Sequence, residues 1–215
     1  MRLLLIRHGE TDHNAAQLAM GRQDVPLNER GVLQARALAE AFRSQSDIAA
    51  IYSSPLQRAL ATATPQAEVL GLAVQIDERL IEMDIGEIEG QTFSAVRERY
   101  PDFIRLWLSD GLADAAMPGG ETMRQVQERA WAAVESIRAR HADETVAVVS
   151  HNFVILTLLC RVLELPLARF RSLRHDLAAV SVVERTAERQ AVVALNDRCH
   201  LRAEGLAGGP SWGRG

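Results

Sequence analysis

The chain has 215 residues, 47% of them hydrophobic and 24% charged, with a formal net charge of −4. That length suits one well-buried core better than two domains, and the composition is that of a globular chain rather than a disordered one. The charge is spread without a basic stripe, so no nucleic-acid partner or membrane surface is expected, and no apolar run reaches membrane-spanning length. All 24 basic residues are arginine, which excludes chemistry that needs a Schiff-base, phosphate-loop or general-base lysine.

The chain opens with "RLLLI", residues 2–6, which reads as a buried strand; it is too short for the apolar region of a signal sequence. Residues 29–45 carry Val32, Leu33, Leu38, Ala41 and Phe42 at helical spacing. "IAAIYSS" is a second strand, and "PLQRALATATPQAEVLG" a helix with Pro55 in its first turn and Gly71 as its stop. "LAVQI" reads as a short strand, residues 92–110 as one or two helices broken at Pro101, and "PGGE" at 118–121 as punctuation before a helix reaching His141. "TVAVVSH" is the clearest strand, with a helix from Asn152 to Leu163 behind it. "LAAVSVVE" and "RQAVVALN" look like a closing antiparallel pair, although "RTAE" is an unusual hairpin loop. A single domain over 1–202 is expected, with 203–215 a disordered tail. Cys160 and Cys199 lie far apart, as reduced thiols of a cytoplasmic chain would, and Cys160 reads as plain core.

Strands alternating with helices imply an α/β fold, a three-layer α/β/α sandwich around a mostly parallel sheet, and such sheets bind ligands at the carboxyl ends of their strands. There the sequence places Arg7 and His8 after the first strand, "SSPLQRA" with Arg58 after the second, and "SHN" with His151 after the strand ending at Val149. A guanidinium is a permanently charged fork matched to phosphate or carboxylate oxygens, so two of them specify an anion. A histidine beside them is a candidate nucleophile toward phosphorus, and the cations keep its ring neutral. A second histidine can hold an oxygen of the transferring group. The leaving alkoxide needs an acid, and "RLIEMDIGEIEGQT" offers Glu82, Asp84, Glu87 and Glu89, among which spacing does not choose. No metal is expected: His8 and His13 are not at the spacing of a helical ligand pair, and Arg7 with Arg58 would repel a dication.

"LLLIRHGETDHN", "IYSSPLQRALATA", "IEMDIGEIEG", "PGGET" and "VVSHNFVI" together resemble the histidine phosphatase superfamily, which includes cofactor-dependent phosphoglycerate mutases and α-ribazole phosphatases. The resemblance implies a phosphoglycerate mutase-like fold and a small-molecule phosphate ester as partner, with no cofactor. It implies that His8 becomes phosphohistidine, that Arg7, Arg58 and His151 bind the phosphoryl oxygens, and that Glu82 is the proton donor. Asn14, the backbone near Gly21 and, more weakly, the hydroxyl of Thr11 match further phosphate contacts. The mutases carry an "ERHYG"-like stretch followed by a substrate-holding lysine; here stand "EMDIGEIEG" and no lysine. The expectation is therefore a metal-independent phosphatase, with a mutase as the alternative and a catalytically dead phospho-ligand binder as the non-enzyme reading. "PDFIRLWLSDGLADAAMPGGE" falls where the family varies its lid, and Phe103, Trp107 and Met117 there suggest an organic leaving group with little extra negative charge. His13, His141, His175 and His200 are expected to be structural or solvated. A homodimer through the sheet edge or a helix is the expected assembly.

Overall fold

The computed structural model describes residues 1–43, 47–186, 189–202 and 205–206. In chain order the elements are β1 (Arg2–Arg7), α1 (Asp12–Ala15), α2 (Glu29–Phe42), β2 (Ile48–Ser53), α3 (Gln57–Leu70), β3 (Val74–Ile76), α4 (Phe93–Arg99) and α5 (Pro101–Trp107). They are followed by α6 (Met123–Arg140), β4 (Thr145–Ser150), α7 (Asn152–Val162), β5 (Val180–Arg185), β6 (Gln190–Asp197) and α8 (Cys199–Arg202). The six strands form one sheet in the order β3-β2-β4-β1-β5-β6. β3, β2, β4 and β1 run parallel, while β5 is antiparallel to β1 and to β6.

Alternation along the central strands divides the core in two, because successive side chains point to opposite faces. Leu4 and Ile6 of β1 with Ala147 and Val149 of β4 pack against Leu38 and Phe42 of α2 and Ala59 and Ala63 of α3. Leu3, Leu5, Val146 and Val148 face the other way, against Ala130 and Val134 of α6 and Ile155 and Leu159 of α7. The result is three layers, helices over both faces of a mixed sheet. β4 is buried at every position, and the chain leaves neighbouring β1 and β4 toward opposite faces. Their carboxyl ends therefore flank a crevice of the kind in which open α/β sheets bind ligands.

Several boundaries differ from the sequence reading. Pro55 lies outside α3, which starts at Gln57 after an extended Leu56 with no side-chain cap; Asp24 supplies one from a distance, accepting the Gln57 N–H at 2.7 Å. β3 excludes Leu72 and Ala73, because the Leu72 N–H closes α3 on the Ala67 carbonyl beyond left-handed Gly71. The expected helix end at residues 44 and 45, the second half of "RTAE" at 187–188 and the tail fall outside the described residues, apart from Gly205 and Leu206 of the tail. Leu206 is buried with Ala178 and Leu201. Cys160 is buried and Cys199 exposed, both as free thiols. Among the described residues no helix is long and apolar enough to cross a membrane.

The turn after β1 is pressed against the start of α2. A Cβ on Gly31 would stand 2.1 Å from the Glu10 carbonyl oxygen, and one on Gly9 2.7 Å from that of Gly31. Both obstacles are backbone, which cannot swing aside. Gly31→Ala is thus expected to cost about 3 kcal/mol, the upper part of the usual overpacking range, and to lower the melting temperature by roughly 6–12 °C in a domain of this size. Thermal denaturation followed by circular dichroism checks it; an unchanged midpoint would show that the turn has room to relax.

Candidate active site

The register of β1 on β4 pairs Arg7 with Ser150, so the next residue on each strand, His8 and His151, must stand side by side. Their ring centroids are 5.2 Å apart. Both side chains are buried. The His8 N–H is tied to the Ser150 carbonyl at 3.0 Å, and its Nδ1 lies 2.7 Å from the Gly9 carbonyl oxygen. A carbonyl only accepts, so Nδ1 carries the proton and Nε2 keeps its lone pair. Burial first, then Arg58 and Arg7, holds the His8 pKa well below its ordinary value. His151 is shifted the same way by burial, Arg58, His8 and Arg7. Both rings are neutral at pH 7.

Arg58, in the first turn of α3, has no solvent exposure. Its Nη atoms donate to the carbonyls of Gln23 at 2.8 Å and Gly21 at 2.6 Å, while Nε has no partner among the described residues. Arg7 is half-buried; its Nη1 donates to the His175 carbonyl at 2.8 Å, and its Nε is likewise unpartnered. Burial lowers the Arg7 pKa to about 10, which leaves it charged at neutral pH. Two guanidiniums, each fixed by carbonyls and each with an unsatisfied donor, surround a pair of neutral imidazoles. That is a cradle for a small polyanion.

Glu82 completes it from the loop after β3. Its carboxyl is buried; Oε1 accepts from the Met83 N–H at 2.8 Å, and Oε2 from the Phe153 N–H at 3.3 Å, in the first turn of α7. Burial raises its pKa, outweighing the two amides and the pull of Arg58 and Arg7. A carboxyl that favours its proton therefore stands beside the arginines and the histidine pair, as a general acid must. The loop is clamped from behind by Arg129 of α6, which donates to the carbonyls of Arg79 at 2.9 Å, Ile81 at 2.6 Å and Glu82 at 3.0 Å.

The pattern of the histidine phosphatase superfamily (branch 1) matches residues 3–198. The chain belongs to this superfamily. It is 36% identical over 201 residues to phosphoserine phosphatase 1 of Hydrogenobacter thermophilus, covering 94% of each. Among solved structures, Bacillus stearothermophilus YhfR superposes with a TM-score of 0.86 at 34% identity, over 93% of this chain and 98% of that one. A mycobacterial glucosyl-3-phosphoglycerate phosphatase superposes with a TM-score of 0.83 at 31% identity, over 92% and 99%. The phosphoglycerate mutase-like α/β fold expected from the sequence is the one found.

The other acidic residues of the superfamily's "EMDIGEIEG" stretch are engaged elsewhere. Asp84 pairs with Arg22 at 3.6 Å. Glu87 is exposed and accepts from the Tyr100 hydroxyl at 2.8 Å. Glu89 grips two backbone N–H groups, Gly21 at 2.7 Å and Arg22 at 3.0 Å, so the Gly21 amide is already bound to an anion within the chain. Thr11 and Asn14 form the capping box of α1: the Thr11 hydroxyl donates to Asn14 Oδ1 at 3.0 Å and accepts the Asn14 N–H at 3.2 Å. That leaves the Asn14 amide hydrogens as the donors of the pair. Phe103 stacks on Trp107 at 5.6 Å, and Trp107 meets Phe153 and Phe170 at 6.0 and 5.9 Å. With Met117 also buried, this part of the lid forms a wall behind Phe153, whose amide touches Glu82.

Among the remaining histidines, His175 is buried and driven to about pH 3, mainly by burial. His141 bonds the Tyr52 hydroxyl and Glu144, at 3.0 and 2.6 Å, and His200 the Ala178 carbonyl at 3.0 Å. The residues that sequence reasoning passed over are Ser54, Glu121 and Arg129. "SSPLQRA" and "PGGET" contain the first two, but only packing reveals Glu121 gripping Arg129 at 3.0 Å. Among the described residues no three His, Cys, Asp or Glu groups converge as a metal site would require.

Proposed function

We propose that this chain is a phosphomonoesterase that hydrolyses a small phosphorylated metabolite through a phosphohistidine at His8, with no metal ion taking part. The observation that carries the reading is the pair of neutral imidazoles 5.2 Å apart between Arg7 and Arg58. Nε2 of His8 attacks phosphorus and the bond to the ester oxygen breaks. The proton of Glu82 goes to that oxygen, releasing the alcohol. Water then attacks the phosphohistidine, gives its proton back to Glu82, and frees orthophosphate and His8. Arg7, Arg58 and His151 hold the non-bridging oxygens, and the Asn14 amide adds a further donor. The Gly21 backbone contributes through its grip on Arg58, and Thr11 through its cap of Asn14. Two relatives are named for small esters, phosphoserine and glucosyl-3-phosphoglycerate, and esters of this size are the substrates proposed.

The absence of any lysine favours hydrolysis over phosphoryl shuttling, because the mutases hold their substrate with one. Phosphate release from p-nitrophenyl phosphate and from a panel containing phosphoserine, 3-phosphoglycerate and α-ribazole phosphate is expected without bisphosphoglycerate. It should persist after dialysis against a strong chelator. Interconversion of 3- and 2-phosphoglycerate with negligible phosphate release would replace the phosphatase with a mutase, and activity restored only by zinc or magnesium would reject the metal-free mechanism.

A further inference from the structure

Ser54 is the first residue beyond β2, is fully buried, and plays no part in the mechanism so far. Its N–H bonds the Val149 carbonyl at 3.0 Å, which anchors it to β4 two residues before His151. Its Oγ lies 2.7 Å from Nε2 of His151 and accepts the Leu56 N–H at 3.4 Å. A hydroxyl has one proton to donate, and among the described residues Nε2 is the acceptor within its reach. The other nitrogen of the ring, Nδ1, is buried without a partner among the described residues.

We infer that Ser54 is a positioning residue: by donating to Nε2 of His151 it fixes that ring as the Nδ1–H tautomer, so that His151 meets the phosphoryl group as a donor. The inference rests on the phosphatase reading for its consequence, though not for the tautomer itself. It also gives the histidine pair opposite hands. His8, tied at Nδ1 to a carbonyl, is left with a lone pair, and His151, tied at Nε2 to a hydroxyl, is left with a proton. One neutral imidazole attacks while the other stabilises the oxygens, and no net charge is needed on either. Were Nε2 the protonated nitrogen, the bare Nδ1 would turn a lone pair on the anion and repel it. Which nitrogen of a histidine carries the proton is set by the bond the other one makes.

Long-range nitrogen–proton correlation spectra of the whole chain at neutral pH, with and without inorganic phosphate, read the tautomer directly. The wild type should show His151 protonated at Nδ1, with that proton moving downfield as phosphate binds. Ser54→Ala should populate the Nε2–H form and lower kcat on p-nitrophenyl phosphate about 10- to 100-fold, the scale of loss found when a metal-bound imidazole is deprived of its outer hydrogen bond. KM should change little, and Ser54→Thr, which keeps the hydroxyl, should recover most of kcat. An Nε2–H ring in the wild type, or a Ser54→Ala variant with full kcat and the Nδ1–H tautomer, overturns the inference. If Ser54→Ala does not fold, the wild-type spectrum alone decides. A wild type with the Nδ1–H ring but no hydrolysis of any monoester would count against the phosphatase reading and leave the tautomer standing.

Discussion

His8→Ala is expected to abolish turnover, with a loss of about three orders of magnitude or more in the chemical step, as removal of a covalent nucleophile typically brings. The reason lies in what Nε2 of His8 has and its neighbours lack. Its ring is neutral, its Nδ1 proton is held by the Gly9 carbonyl at 2.7 Å, and its remaining lone pair belongs to a ring that feels the charges of Arg58 and Arg7. His151 cannot take its place, because Nε2 is bound to Ser54 at 2.7 Å and Nδ1 is the nitrogen left with the proton. Brief reaction of the wild type with a labelled monoester, followed by denaturation in alkali, should trap an acid-labile phosphohistidine that is missing from the variant. Full activity in His8→Ala would end the covalent mechanism; activity lost with the trapped label still present would move the nucleophile to another residue.

Glu82→Gln is expected to slow esters with alkoxide leaving groups by roughly two to four orders of magnitude, the range of a lost general acid. Aryl esters such as p-nitrophenyl phosphate, whose leaving group needs little help, should suffer far less. The sign of the pH dependence follows from the raised pKa of the buried carboxyl. The protonated form donates, so the rate on alkyl esters falls as pH rises through that pKa, and the dianionic substrate lifts it further by its own charge. In Glu82→Gln this alkaline limb should vanish while the contrast between alkyl and aryl esters widens. Glu87→Gln and Glu89→Gln serve as controls, since Glu87 is exposed and Glu89 is spent on the Gly21 and Arg22 amides. A leaving-group dependence appearing in either of them would reassign the acid.

The central groups of the site were legible because they sit where a parallel sheet presents ligands. Arg7, His8, Arg58 and His151 each follow an apolar run that reads as a strand, and the fold turns those three ends to one edge. By spacing Glu82 was legible only as one of several carboxylates, and the family resemblance alone picked it. What singles it out is burial and an amide from α7, a contact between residues 71 positions apart that no local pattern encodes. Ser54 was quoted within "SSPLQRA" yet given no role, because a serine beside a proline has many ordinary uses and its partner is 97 positions away. Thr11 shows the converse: the family resemblance suggests a weak phosphate contact, while the short helix it caps occupies its hydroxyl. The starts of α3 and β3 each fall two residues later than the sequence suggests, α3 because its cap comes from Asp24, 33 positions away, and β3 because the Leu72 amide still closes α3. Strand interiors follow from composition; contacts across the sheet require the fold.

The strand order carries a consequence for biosynthesis. β1 and β2 are not neighbours; β4 lies between them and pairs with both. A nascent chain that has emerged as far as α6 already holds His8, both arginines and Glu82, yet the strand that fixes their separation has not been made. Its two halves would have no common edge on which to gather the four groups. Reactivity toward phosphate esters is thus deferred until β4 inserts, a non-local pairing of the sort that comes late and slowly in folding. The same insertion delivers His151 and anchors Ser54, so strand closure and the assembly of the candidate active site are one event.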